Sequence, residues 1–319
     1  MSDQASTVKG GRLHRGLARL PRAFQHLTAS RDARVRSFYE LLDRRRVTSR
    51  SVYSDFMGVD TLYVNFGYWE PGCDDQDKAS EALAEVLGEA AGITAGDRVL
   101  DVGFGYAEQD FHWLRTRGPA QIVGINITPS QVQVARERAA ALGLADRLDL
   151  QVGSATALPF EDGSFDKVVA LESAVHFDTR QRFFEEAFRV LRPGGVLATT
   201  DLVARQAPDG RRSLTTRLHD WHRRSLVPQA NWYPRGTYAQ RLSQTGFTGV
   251  EVRDVTDQVL APHAEFVRRR CVEALEGNQL TPFKRRAIRF YLRFTEQRTA
   301  ETGYVLAVAE KPRADRHRQ

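Results

Sequence analysis

Residues 98–110 read Arg98-Val99-Leu100-Asp101-Val102-Gly103-Phe104-Gly105-Tyr106-Ala107-Glu108-Gln109-Asp110, and this stretch decides the fold. Val99, Leu100 and Val102 predict a parallel strand buried on both faces. Gly103 and Gly105 then let the chain turn tightly into a helix, whose free N–H groups point at the carboxylate or phosphate of a nucleotide-like ligand. A dinucleotide fingerprint needs a third glycine three residues after Gly105. Glu108 stands there, so that ligand is excluded.

Outward from this turn, apolar runs and helical periodicities alternate as in a doubly wound sheet. Strands are expected at 98–102, 121–126, 148–152, 166–171, 195–201, 250–255 and 304–309. Helices are expected at 79–92, 108–117, 129–142 and 181–191, the third with Thr128 as N-cap and Pro129 in its first turn. The expectation is an α/β chain with a seven-stranded, mostly parallel, Rossmann-like sheet, a helical lid and an N-terminal helical extension. Its parts divide as a basic extension (1–60, partly disordered and then helical), a core (61–204), a lid segment (205–234), a core helix and strand (235–256), a second helical lid (257–302), the last core strand (303–312) and a tail (313–319).

The chain has 319 residues, 41% apolar and 27% charged, which suits a globular protein with one large core. No run of about 18 apolar residues spans a membrane, and no apolar leader opens the sequence. Cys73 and Cys271 are far apart and lack neighbouring ligands, so neither a disulfide framework nor a thiolate metal site is expected, and the cytoplasm is the expected compartment. The net charge of +6 is unevenly placed. Residues 1–50 carry twelve Lys or Arg against four Asp or Glu, a net +8 that leaves −2 for the rest. The basic arm reads as a solvated extension, with docking to an acidic partner or anionic surface, or pairing between subunits, as the alternatives. It lacks the interleaved aromatics of a nucleic-acid module, so no nucleic-acid partner is expected.

With Asp101 two residues before the first glycine, the turn Asp101-x-Gly103-x-Gly105-x-Ala107 resembles the first motif of class I S-adenosylmethionine (SAM) methyltransferases. A carboxylate there suits a ligand with an ammonium and a sulfonium charge and would repel a pyrophosphate. Three later stretches extend the resemblance over residues 62–312: GINITPSQ (124–131), GSATALPFEDGSFD (153–166) and LRPGG (191–195). It implies SAM as cofactor, with S-adenosylhomocysteine (SAH) as product. Asp101, Gly103 and Gly105 would hold the methionine end, Asn126 and Gln131 the ribose, and Ser154 and the Ala155 N–H the adenine. Glu172 joins this set at the end of the fourth strand. Asn126 and Ser154 replace residues that are often acidic in the family, and Ala107 a frequent glycine. The segment Tyr63–Trp69, YVNFGYW, resembles one that folds over the cofactor, with Tyr68 expected to face the sulfonium by cation–π attraction.

Methylation of a hydroxyl needs a base, and His176 lies just beyond the fourth strand in ALESAVHF. Asp201, at the end of the neighbouring strand, is expected to orient that imidazole as a His–Asp dyad. These segments are similar to the natural-product sugar O-methyltransferases, which carry paired histidines here; Val175 fills the first position. Phe177, Trp221, Trp232 and Tyr233 are expected to line an apolar acceptor pocket, and His219 with His222 offers too few ligands for a metal. The expected function is SAM-dependent O-methylation of a small organic acceptor, a secondary metabolite. The alternatives are C-methylation of a terpenoid or aromatic acceptor, as in the tocopherol and sterol C-methyltransferases, and a SAM-binding protein that serves as a scaffold or cyclase. The Pro-Pro-aromatic acceptor signature of nucleic-acid amino-methylating enzymes is missing, since the fourth strand runs into Leu171-Glu172-Ser173-Ala174.

Overall fold

The computed structural model describes residues 30–48, 60–205, 226–277, 280–282, 285–286, 288–289, 292 and 301–313. Helix α1 spans Arg31–Thr48, α2 Gln76–Ala91, α3 Glu108–Thr116, α4 Pro129–Ala141, α5 Arg180–Val190, α6 Arg235–Thr245 and α7 Thr256–Glu276. The strands are β1 (Arg98–Val102), β2 (Gln121–Asn126), β3 (Leu148–Val152), β4 (Phe165–Leu171), β5 (Leu191–Ala204), β6 (Thr248–Asp254) and β7 (Thr302–Glu310). They form one sheet in the order β3-β2-β1-β4-β5-β7-β6, with β7 antiparallel to both its neighbours. The order reverses between β1 and β4. In an open α/β sheet that switch point opens the crevice in which ligands bind.

Period-two alternation explains how both faces of the sheet are covered. Leu100, Val102, Val168 and Ala170 face a core closed by Phe183, Phe184, Ala187 and Val190 of α5. Val99, Ile122, Val169 and Leu171 face the other side, packed against Leu83 and Leu87 of α2 and Trp113 of α3. Each fully buried Phe or Leu contributes about 1.5–3 kcal/mol. The Trp113 indole N–H is not orphaned by this burial, because it donates to the Ala84 carbonyl at 2.9 Å. At its ends α2 is fixed by Asp75, which accepts from the N–H groups of Asp77 and Lys78, and by Gly92 in the left-handed region.

Most element ends shift by a few residues, and two differences from the sequence expectation matter more. Strand β5 starts at Leu191 rather than Gly195, because the Arg192-Pro193-Gly194 turn is drawn into the sheet margin, where the Gly194 N–H bonds Lys311 O at 2.8 Å. Helix α1, expected only as part of a solvated arm, lies across the ends of the central strands. Its Arg36 Nε donates to Ile127 O at 3.0 Å, and Asp43 receives the Tyr106 hydroxyl and, at 2.6 Å, the Ser130 hydroxyl. Trp221, His219 and His222 lie outside the described residues.

Candidate active site

A cleft of about 870 Å³ opens beyond the C-terminal ends of β1 to β4. Its floor is the β1 turn. Gly103 has φ +88, and a Cβ there would stand 2.3 Å from the Ser173 Cβ, so only glycine permits this approach of two loops. The Ser173 hydroxyl donates to Val102 O at 2.6 Å and ties the β4 exit to the β1 turn. Ala107 takes the left-handed conformation, φ 64, at the start of α3, in the position where the family often has glycine.

Asp101 is fully buried and lies behind the cleft wall rather than in it. This modifies its expected role. Gln109 forms the wall, and its Nε2 donates to Asp101 Oδ2 at 2.8 Å and to Phe104 O at 3.1 Å. Burial pushes the Asp101 carboxyl up to about 7, and burial plus the Asp101 charge holds Asp110 well above the carboxylate range. Asp110, held protonated, shares a hydrogen bond with the Asp101 carboxyl, and Asp101 Oδ1 and the Asp110 oxygens have no further partner among the described residues. Nearby positive charge on a ligand offsets that cost.

The ribose candidates meet in one chain of bonds. Asn126 Nδ2 donates to Gly105 O at 3.1 Å and to Gln131 Oε1 at 2.9 Å, its Oδ1 receives the Ile127 N–H at 2.9 Å, and Gln131 Nε2 reaches Asp43 Oδ1 at 3.4 Å. Ser154 and Ala155 also line the cleft, at the β3 end. Glu172 lines it at the β4 end with φ 52, a conformation that non-glycine residues rarely adopt and that concentrates at functional sites. Its Oε1 receives the Phe66 N–H at 2.9 Å and the Tyr304 hydroxyl at 2.7 Å.

His176 and Phe177 are cleft walls, carried by a short 3-10 turn at Ala174–His176. The His176 Nδ1 is 3.2 Å from Leu226 O. A carbonyl can only accept, so Nδ1 carries the proton and Nε2 keeps its lone pair. Burial, aided by the Arg180 charge, holds this imidazole below the ordinary histidine value, although the Leu226 carbonyl pulls the other way. Asp201 is not its partner. The carboxylate, completely buried, lies 2.8 Å from Arg180 Nε and receives the Leu202 N–H. The expected dyad is therefore replaced by a backbone carbonyl on the histidine and a buried ion pair behind it.

Tyr68 and Tyr233 also depart from expectation. Tyr68 packs on the core near α2, its N–H bonded to Ala79 O at 2.7 Å, and its segment presents Leu62 and Val64 to the cleft instead. Tyr233 is buried under Arg180, whose guanidinium carbon lies 4.9 Å from the ring centre. Trp232 is half-buried and is not a wall of this cleft. The aromatic wall that the sequence did not reveal is Tyr39 of α1, edge-on to His176 with ring centres 6.0 Å apart. Also unforeseen is Asn231, fully buried, whose Nδ2 donates to the carbonyls of Val175 at 3.0 Å and Phe177 at 2.8 Å while its Oδ1 receives the Arg180 N–H. That one amide holds the histidine turn.

A cleft rich in acceptors at a switch point, with a neutral imidazole beside it, fits a cationic nucleoside better than a polyphosphate. Residues 100–199 match the methyltransferase domain family. Erythromycin 3''-O-methyltransferase of Saccharopolyspora erythraea is 43% identical to this chain over 265 residues, 79% of this chain and 84% of that one. The chain belongs to the SAM-dependent methyltransferases. Among solved structures, the [4+2]-cyclase SpnF matches this methyltransferase with TM-score 0.66 at 24% identity, over 90% of this chain and 98% of the other. Geranyl diphosphate methyltransferase in complex with GPP and sinefungin matches with TM-score 0.67 at 20% identity, over 88% and 100%. At such identities the two structures show a shared fold alone. The methyltransferase takes SAM as its donor, and among its described residues no helix is long and apolar enough to cross a membrane.

Proposed function

We propose that the methyltransferase methylates a hydroxyl of a small natural-product acceptor, with His176 as the base. The observation that carries this is the Nδ1 bond to Leu226 O, which leaves Nε2 as a proton acceptor on a cleft wall in a ring kept neutral at physiological pH. The similarity to erythromycin 3''-O-methyltransferase supports an oxygen acceptor of this class.

When bound, SAM supplies an activated methyl group and leaves as SAH. The acceptor hydroxyl gives its proton to His176 Nε2 as its oxygen becomes the nucleophile. Asn231 positions the turn that carries the imidazole, and Phe177 and Tyr39 exclude water beside it. Gln109, backed by Asp101, faces the methionine end; Asn126 and Gln131 face the ribose; Ser154 and the Ala155 N–H face the adenine. Cysteine usage supports a cytoplasmic enzyme.

The test is incubation with methyl-labelled SAM and a panel of hydroxylated polyketide and glycoside acceptors, followed by NMR of the products. An O-methyl signal is expected. A C-methyl product would overturn the oxygen assignment, and SAM binding without methylation of any acceptor would favour a scaffold or cyclase.

A further inference from the structure

Where the family often places an acidic residue for the adenine amino group, this chain has Ser154, and a hydroxyl is the weaker acceptor. The carboxylate reappears from another element. Asp32, in the first turn of α1, lines the same cleft and receives the Ser154 hydroxyl on Oδ2 at 3.3 Å. Its Oδ1 has no hydrogen-bond partner among the described residues. The position is set from a distance: Arg36 holds α1 to Ile127 O, and Asp43 holds it to Tyr106 and Ser130. The eleven helical steps from Asp43 to Asp32 span about 16 Å, enough to run from the β2 end of the cleft to the β3 end.

We propose that Asp32 is the carboxylate that accepts the adenine amino group of the methyl donor, so that the N-terminal helix completes the nucleoside site. This rests on the reading that the adenine lies against Ser154 and Ala155. The amino group would donate to Oδ1 while Ser154 holds Oδ2, a charge-assisted bond in place of a neutral one. A basic, arginine-rich extension would thus contribute an acidic group to the site.

Calorimetry on the full-length enzyme with SAH and with its 6-deamino analogue tests this, because the analogue keeps every ring nitrogen and lacks only the amino donor. The wild type is expected to prefer SAH by roughly 10-fold to 100-fold, the range for a hydrogen bond to a charged group. Asp32→Ala should lose most of that preference by weakening SAH, with the analogue's affinity nearly unchanged, and Asp32→Asn should fall between. Equal weakening of both ligands would make Asp32 a mere tether of α1 and overturn the proposal, as would a preference that survives in Asp32→Ala. If the wild type bound neither ligand, the donor site itself would be refuted, and the proposal with it.

Discussion

Asp201→Asn separates the two roles that this residue could have. The variant keeps the shape of the side chain and removes its charge, leaving the Arg180 guanidinium, itself completely buried, with only neutral acceptors: Leu202 O at 3.0 Å and Asn231 O at 2.9 Å. Breaking one side of a buried ion pair costs about 3–5 kcal/mol, because the surviving charge stays desolvated. Against a total stability of about 5–15 kcal/mol that is a large fraction. At about 2–4 °C per kcal/mol for a domain of this scale, the melting midpoint should fall by roughly 6–20 °C. The assay is a circular-dichroism melt, paired with turnover measured well below the variant's midpoint, where activity per folded molecule should stay near wild type. An unchanged melt with turnover reduced about 100-fold or more, the scale of a lost acid–base contribution, would return Asp201 to the chemistry and refute the structural assignment.

His176→Ala should lower turnover about 100-fold or more while SAM affinity, measured by calorimetry, holds; near-normal turnover would remove it from the mechanism. Because its pKa is held down, the acid limb of kcat/KM should lie below the ordinary histidine value of about 6.5, and a limb above that would contradict a neutral base. Ala107→Gly relieves about 1–2 kcal/mol of left-handed strain but loses a buried methyl worth about 0.8 kcal/mol and costs backbone entropy, so chemical denaturation should show a change under about 1 kcal/mol. A loss above about 2 kcal/mol would mean the methyl packing dominates there. Asp101 is raised from 3.8 to about 7, so its neutral form stabilises the fold at low pH, and that contribution fades as pH rises from about 4 to about 7. Asp101→Asn removes the raised carboxyl itself and should flatten this slope and raise the midpoint at pH 8. An unchanged slope would exclude Asp101 as its source.

Seven strands were legible because each is an apolar run or an apolar-polar alternation between turn residues, though the margins of β5, β6 and β7 were not, and the glycine turn because Gly103 and Gly105 have few other uses. The sequence also brought Gly103, Gly105, Asn126, Gln131, Ser154, Ala155, Glu172, His176 and Phe177 to one cleft, since all of them follow strand ends. It misread Asp201, because strand adjacency does not say which neighbour a carboxylate prefers, and Arg180, one helix start away, has the full opposite charge. Tyr68 and Tyr233 were misread because an aromatic side chain serves a core and a pocket equally well. The docking of helix α1 on the cleft was hidden for another reason. Its apolar residues form no amphipathic stripe, since it is held largely by polar contacts from Arg36 and Asp43. Contacts of that kind leave no periodicity to read.

The Asn231 amide places a constraint on how such an enzyme can change its acceptor. Residues 226–233 bring Leu226 O to the imidazole and Asn231 to the turn beneath it, so this segment sets where His176 stands on the cleft wall. Exchanging a stretch that includes Leu226 or Asn231 to admit a new substrate would carry off the alignment of His176 with it. A recombination boundary upstream of Leu226 is the one that leaves that imidazole in place.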